Sequence, residues 1–202
     1  MESQITIDDL KKIEAGIRQK YNKVAKSPEG QFKYPTGKKG LEALHYDKTL
    51  IDELPTAVAS SYCGVGNPFS LGKINQGEQV LDIGCGAGVD TILAAIIVGP
   101  KGSVAGVDIV PEMIARAESN IKMTGIDNVS FQNTTGEKLP FPGDTFDVVI
   151  SNGVINLIPE KEGALTEILR VLKPGGRLMV ADQIASGSVQ KDIKARLANW
   201  FQ

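Results

Sequence analysis

The chain has 202 residues, 42% of them apolar and 23% charged, which suits one globular domain and excludes a disordered, collagenous or coiled-coil protein. Twenty-two basic against twenty-four acidic residues leave a formal charge of −2, so the charge balance points to no nucleic-acid partner. The longest wholly apolar run is the seven residues Ile92 to Val98, far short of the ~20 a membrane helix needs. The opening MESQITIDDL has no secretory pattern, and two cysteines cannot build a disulfide framework or a four-cysteine metal site. A cytoplasmic protein with no membrane partner and no metal is expected.

In chain order, Thr6 and Asp9 form a capping-box pattern. Leu10, Ile13, Ile17, Tyr21 and Val24 follow at helical steps, predicting an amphipathic helix that ends near Ser27-Pro28. The stretch 27–40 is crowded with Gly and Pro and reads as loop, with Lys38-Lys39 in a solvated turn. A short apolar stretch, Leu41 to Tyr46, precedes a helix around Thr49 to Leu54 that Pro55 should interrupt, and Asn67-Pro68 resembles a helix start. Residues 1–75 are expected to form a helical flank or lid rather than an independent domain, leaving 76–202 as the main domain.

From Gln79 onward the texture changes. QVLDIG, SVAGVD, NVSFQN, FDVVIS and RLMVAD are five Val- and Ile-rich candidate strands. Between them lie helices predicted over Val89–Val98, Glu112–Thr124 and Glu160–Leu172, the last ended by Pro174 and two glycines. This alternation predicts an α/β, doubly wound, mostly parallel sheet of the Rossmann-like kind. Val89–Val98 is apolar nearly all round and should be sandwiched.

VLDIGCGAGVD puts Asp82, Gly84, Gly86 and Gly88 between the first strand and the next helix, where backbone must approach a ligand. A dinucleotide loop needs a third glycine at position 89, and Val89 stands there. The pattern DxGxGxG suits instead a ligand with a cationic amino-acid head and no phosphate, such as S-adenosylmethionine (SAM). Asp108, twenty-six residues after Asp82 at the end of the second strand, can accept hydrogen bonds from both ribose hydroxyls, as either nucleotide class requires. Met113, in the first turn of the following helix, can lay its thioether against an adenine.

Across residues 75–182 the chain resembles the class I SAM-dependent methyltransferases, through VLDIGCGAG, VAGVDIVPEMIARA, EKLPFPGDTFDVVIS and LRVLKPGGRLMVAD. The resemblance implies Asp82, Gly84, Cys85, Gly86 and Gly88 around the methionine end of SAM, and Asp108 at the ribose. It further implies Ile109 and Met113 beside the adenine, Thr135, Gly136 and Glu137 at the adenine edge, and Asn152 and Gly153 near the sulfonium and amino group. The family often has Asp where Thr135 stands. SNGVINLIPEKEGALTEILRVLKPGGRL and Gly66–Pro68 are similar to the arsenite methyltransferase branch, which holds arsenic on cysteine thiolates. Its expected cysteines fall on Val65 and Gly153, so arsenite is not the expected substrate.

The acceptor wall is expected from residues 40–70 and 153–157, which makes Tyr62, Cys63 and Asn156 candidate contacts. Tyr21 is a further candidate on the first helix, against plain packing. His45, the single histidine, is a candidate base against a structural role. Cys85 is expected to pack rather than react. The reading is an enzyme moving a methyl group from SAM to a small molecule. The alternatives are a SAM-binding module without activity, an arsenite methyltransferase, and a nicotinamide oxidoreductase, disfavoured by Val89. Class I sheets usually end in two further strands; here a helix over Lys191–Trp200 is predicted instead, giving five parallel strands. Trp200 and Phe201 are then expected to pack on the exposed edge or on a partner subunit.

Overall fold

The computed structural model describes residues 6–184. The first helix, α1 (Ile7–Lys26), starts at the capping box: Asp9 N–H donates to Thr6 Oγ1 and Thr6 N–H to the Asp9 carboxylate. Three short helices follow, α2 (Gly37–Ala43), α3 (Lys48–Glu53) and α4 (Thr56–Ala59), then a 3₁₀ turn at Pro68–Leu71 capped by Asn67. The expected loop over 27–40 therefore ends early. Gly37 and Gly40 are poor helix formers, and α2 is held by tertiary contacts that override propensity. Leu41 is fully buried, and Gly37 N–H donates to the Tyr62 carbonyl at 2.7 Å.

Five strands form one sheet: β1 (Gln79–Ile83), β2 (Ser103–Asp108), β3 (Val129–Asn133), β4 (Phe146–Asn152) and β5 (Leu172–Ala181). The order is β3-β2-β1-β4-β5 and every pairing is parallel. Helices α5 (Val89–Val98), α6 (Pro111–Lys122) and α7 (Lys161–Val171) supply the β1–β2, β2–β3 and β4–β5 crossovers, a helix-free segment joins β3 to β4, and a 3₁₀ turn lies at Ile155–Leu157. Among the described residues the sheet is five-stranded and all-parallel, as the sequence leads one to expect. The predicted helix over 191–200, with Trp200 and Phe201, lies outside the described residues.

Helix α5 packs Ala94, Ala95 and Val98 on one sheet face with Val80, Val104, Val148 and Ile150. Its opposite side, Val89, Ile92 and Leu93, is covered by Leu41, Tyr46, Ile51, Val58 and Tyr62 of the N-terminal segment. That sandwich is why its sequence lacks a polar face. Ile168 and Val171 of α7 cover the other face over Leu81, Ile83 and Val149. At the β4–β5 pairing the register passes from Phe146↔Leu172 to Val148↔Arg177, so residues 173–176 bulge out. Pro174 is tolerated because β5 is an edge strand among the described residues. Helix α7 passes directly into β5, and Lys173-Pro174-Gly175-Gly176 kinks the strand rather than merely ending the helix. Asp147 fastens this corner, accepting from Gln79 N–H at 2.8 Å and pairing with Lys173.

Candidate active site

The strand order reverses beside β1, and a parallel sheet opens its crevice at such a point, outside the carboxyl ends of the strands. A cavity of about 440 Å³ lies there, roofed by Ile13, Ile17 and Tyr21 of α1. Its floor is the glycine loop. Gly84 and Cys85 N–H groups donate to the Val107 carbonyl at 2.8 and 2.9 Å, and Asn120 Nδ2 donates to the Ala87 carbonyl at 2.8 Å.

Gly84 has φ +70°, and a Cβ there would stand 2.1 Å from Val154 Cγ2. Gly84→Ala is expected to cost at least about 2 kcal/mol in urea unfolding, from left-handed strain plus overpacking. Val154→Ala on that background should recover part of the loss; equal stability of Gly84→Ala and wild type would refute this close contact. Gly86 differs. A Cβ there would meet only Met113 Cε, at 3.9 Å, so the loop leaves that space to a ligand.

Asp108 closes β2 at the cavity wall. Its Oδ2 accepts from Gly86 N–H at 2.9 Å and its Oδ1 from Val110 N–H at 2.8 Å. Enclosure raises its pKa to about 6, opposed by the backbone N–H groups of Val110, Gly86 and Ile109, and the roughly four lone-pair sites of a carboxylate still leave acceptor capacity for a ligand. Ile109 and Met113 line the cavity beside it, as do Thr135, Gly136 and Glu137 after β3. Cys85 is buried, and its Sγ lies over Gly106 of the sheet.

Two further carboxyls sit at the other end. Asp82, 1% exposed, accepts from Thr91 Oγ1; burial and then the Asp90 carboxylate push it up to about 8. Asp90, in the first turn of α5, is pushed up to about 6 by burial, opposed by bonds from Asn152 and Tyr46. No motif in the sequence singles out Asp90. Its one legible signal is position: two residues past the glycine loop, the first turn of the helix faces the cavity.

Asn152 lines the cavity, but its amide is committed to the protein. Nδ2 reaches Asp90 Oδ2 at 2.9 Å and the Gly66 carbonyl at 2.8 Å, while Oδ1 accepts from Val65 and Gly66 N–H. Beside it, a Cβ on Gly153 would stand 3.1 Å from Val65 Cγ2. Val65 and Gly153, the positions at which the arsenite-like resemblance implies thiols, are therefore neighbours here. Tyr21, Tyr62 and Cys63 also line the cavity, joined by Tyr34, whose hydroxyl donates to the Cys63 carbonyl at 3.1 Å. Burial, followed by Asp108 and Asp90, pushes the Cys63 thiol up to about 12.

Three candidates stand apart from the cavity lining. Gly88 packs the loop, since a Cβ there would lie 3.0 Å from Ala117 Cβ and from the Phe131 ring. His45 is exposed at φ 57° after α2, its N–H donating to the Glu42 carbonyl and its own carbonyl accepting from Asn67 Nδ2. Asn156 is turned into the loop after β4; its N–H donates to Asp182, and its Oδ1 is buried without a partner among the described residues. Tyr34 lies in a stretch with no periodicity, so nothing in the sequence singles it out, and only folding brings it to the cavity.

SAM fits these residues. The space over Gly86 admits a ligand, Asp108 has acceptor capacity to spare, and the lining carries Glu14, Asp82, Asp90, Asp108, Glu137 and Glu160 with no Lys, Arg or His among the described residues. That one-signed lining favours a cation.

Comparison with known proteins agrees. Residues 74–202 match the family described as "Methyltransferase domain". An arsenite methyltransferase of Halobacterium salinarum is 40% identical over 155 residues, 77% of this chain and 39% of that protein. A ubiquinone/menaquinone biosynthesis C-methyltransferase of Ectopseudomonas mendocina is 45% identical over 116 residues, 56% of this chain and 45% of its own. The crystal structure of an arsenic(III) S-adenosylmethionine methyltransferase from Chlamydomonas reinhardtii superposes with TM-score 0.60 at 38% identity, covering 74% of this chain and 50% of that one. A phosphoethanolamine N-methyltransferase of Haemonchus contortus, solved with S-adenosylhomocysteine, gives 0.57 at 26% identity over 65% and 31% of the two chains. This chain spans less than half the length of the curated relatives it matches. With a parallel sheet in this order, a DxGxGxG loop and an acid ending β2, the chain belongs to the class I SAM-dependent methyltransferase family.

Proposed function

We propose that this chain binds SAM and transfers its methyl group to a small, uncharged, largely apolar acceptor. The observation that carries the reading is the cavity in which the glycine loop, Asp108 and the acidic lining converge. When bound, SAM supplies a methyl group already activated on a sulfonium sulfur. The chain's own task is then to bind and orient. Asp108 would hold the ribose, Ile109 and Met113 the adenine faces, and Thr135 to Glu137 its edge, while Ile13, Ile17 and Tyr21 of α1 exclude water. Alignment of acceptor and methyl can contribute up to ~7–11 kcal/mol without an acid or base. With no cationic side chain on the lining among the described residues, a phosphate or carboxylate on the acceptor would be desolvated without a partner.

Arsenite does not suit this wall. Cys63 brings one thiol to the cavity, Cys85 turns its own onto the sheet, and Val65 faces Gly153. A soft As(III) centre calls for several thiolates. Purified protein with SAM and excess glutathione is therefore expected to release no methylarsenite by mass spectrometry. Product that depends on Cys63 would overturn the acceptor argument. The relative from quinone biosynthesis is in keeping with an apolar acceptor.

Isothermal titration should show SAM binding and no NAD binding; the reverse would discard the methyltransferase reading in favour of a nicotinamide enzyme. S-adenosylhomocysteine formation should then appear with neutral aromatic or quinol acceptors and not with their carboxylated counterparts. SAM binding with no turnover across such a panel would leave a binding module.

A further inference from the structure

Residues 64–66 belong to no helix or strand, yet the N–H groups of Val65 and Gly66 and the Gly66 carbonyl are all paired with side chains. Asn152 Oδ1 accepts from Val65 N–H at 2.9 Å and Gly66 N–H at 3.1 Å. The Gly66 carbonyl accepts from Asn152 Nδ2 and from the Tyr62 hydroxyl, both at 2.8 Å. Behind the amide, Asp90 takes Asn152 Nδ2 on one oxygen and the Tyr46 hydroxyl on the other, each at 2.9 Å. The loop lies so close to Asn152 that a Cβ at Gly64 would fall 2.3 Å from Nδ2 and 2.5 Å from Tyr62 Oη. Only glycine fits there.

The chemistry of the partners fixes which way the amide faces. Asp90 and the Gly66 carbonyl both offer acceptors, so they take the two N–H donors of Asn152, and the amide oxygen is left for the two backbone N–H groups. One side chain thus joins β4, α5 and the loop. That loop carries Val65, which seats on Gly153 and forms the cavity wall. We propose that Asn152 and Asp90 are positioning residues that lock Val65 in place and thereby set the shape of the acceptor wall. Its consequence for acceptor choice rests on the methyltransferase reading; the lock itself does not.

The lock needs an acceptor at position 90 rather than a charge. In Asp90→Asn the new amide oxygen still takes Asn152 Nδ2, and its NH₂ can donate to Tyr46 Oη, whose hydroxyl turns to the Gly66 carbonyl. Asp90→Ala removes both contacts. Asp90→Leu keeps the bulk but offers no acceptor, so a contribution from bulk alone would leave it like Asp90→Asn, whereas the lock requires it to behave like Asp90→Ala.

The test uses the full chain without cofactor. In wild type, NMR hydrogen exchange should show the Val65 and Gly66 amides protected at least about 100-fold over an unstructured peptide, although they lie in a loop. Exchange at the unstructured rate would overturn the proposal without any variant. Asn152→Ala and Asp90→Ala should abolish that protection and raise maleimide labelling of Cys63, identified by peptide mapping, at least about tenfold, while β1 and β4 amides stay protected. Asp90→Asn should label within about twofold of wild type. If Asn152→Ala fails to fold, Gly64→Ala reaches the same loop by steric exclusion and should show the same opening. Unchanged loop exchange in a folded Asn152→Ala or Gly64→Ala protein would sink the lock. Titration of wild type with SAM, run alongside, reports on the functional reading separately.

Discussion

Asp108→Ala is expected to weaken SAM binding roughly ten- to a hundredfold in isothermal titration near neutral pH, with the fold retained. A hydrogen bond to a charged group contributes about 1.5–3 kcal/mol, and that range sets the loss in affinity. Fold and affinity should separate because two effects on stability oppose each other. Removing the carboxylate strands the N–H groups of Gly86 and Val110, which it receives at 2.9 and 2.8 Å. It also removes an enclosed acid whose pKa has risen to about 6, so that ionisation at neutral pH is itself a burden on the folded state. Loosening of the Gly86 loop adds to the affinity loss, since that loop forms the floor under the ligand. Unchanged affinity in a folded variant would mean that Asp108 does not hold the ribose.

Much of the fold is local in the sequence. Helix α1 announces itself through the Thr6–Asp9 box and its apolar stripe, and the strands through short Val- and Ile-rich runs. Helix α5 does so by lacking a polar face. The glycine loop and Asp108 are legible because each sits where a strand ends and each residue type has one strong physical use there. What the sequence hides is long-range. Helix α2 has a glycine-rich sequence and exists because Leu41 is buried under the other helices. The Lys173–Gly176 segment reads as a helix stop, and its role as a strand bulge depends on pairing with β4. Within the site, Asn152 looks like a ligand contact by position; that its amide is taken up by a loop 86 residues away follows only from folding. His45 attracts attention for its titration, but a left-handed backbone after α2 leaves it in solvent.

Those buried acids also make an expected pH dependence, opposite in sign to that of an ordinary ion-paired carboxylate. Asp82 is raised from 3.8 to about 8, and Asp90 and Asp108 from 3.8 to about 6. The folded protein thus binds these protons more tightly than the unfolded chain. Stability is fully present below about pH 4 for these groups and is lost as pH rises through 6 to 8. Glu167 works the other way: the Arg170 guanidinium, then the Leu139 N–H, hold it at about 2, so its contribution is present above about pH 4.5 and lost in acid. Between about pH 5.5 and 8.5 Glu167 is ionised in both states, and the three cavity acids dominate. A tenfold change in proton affinity is worth about 1.4 kcal/mol, and 1 kcal/mol moves Tm by about 2–4 °C in a chain of this size. Allowing for strong coupling between Asp82 and Asp90, the Tm of the ligand-free protein is expected to fall by about 5–10 °C over that range. A bound cation reverses the penalty, because it favours the charged form of each acid. The Tm gain from saturating SAM should therefore be larger near pH 8 than near pH 5.5. Thermal melts at both ends, with and without SAM, check this. A ligand-free Tm that stays flat or rises with pH would show that the cavity acids are not held above their ordinary range.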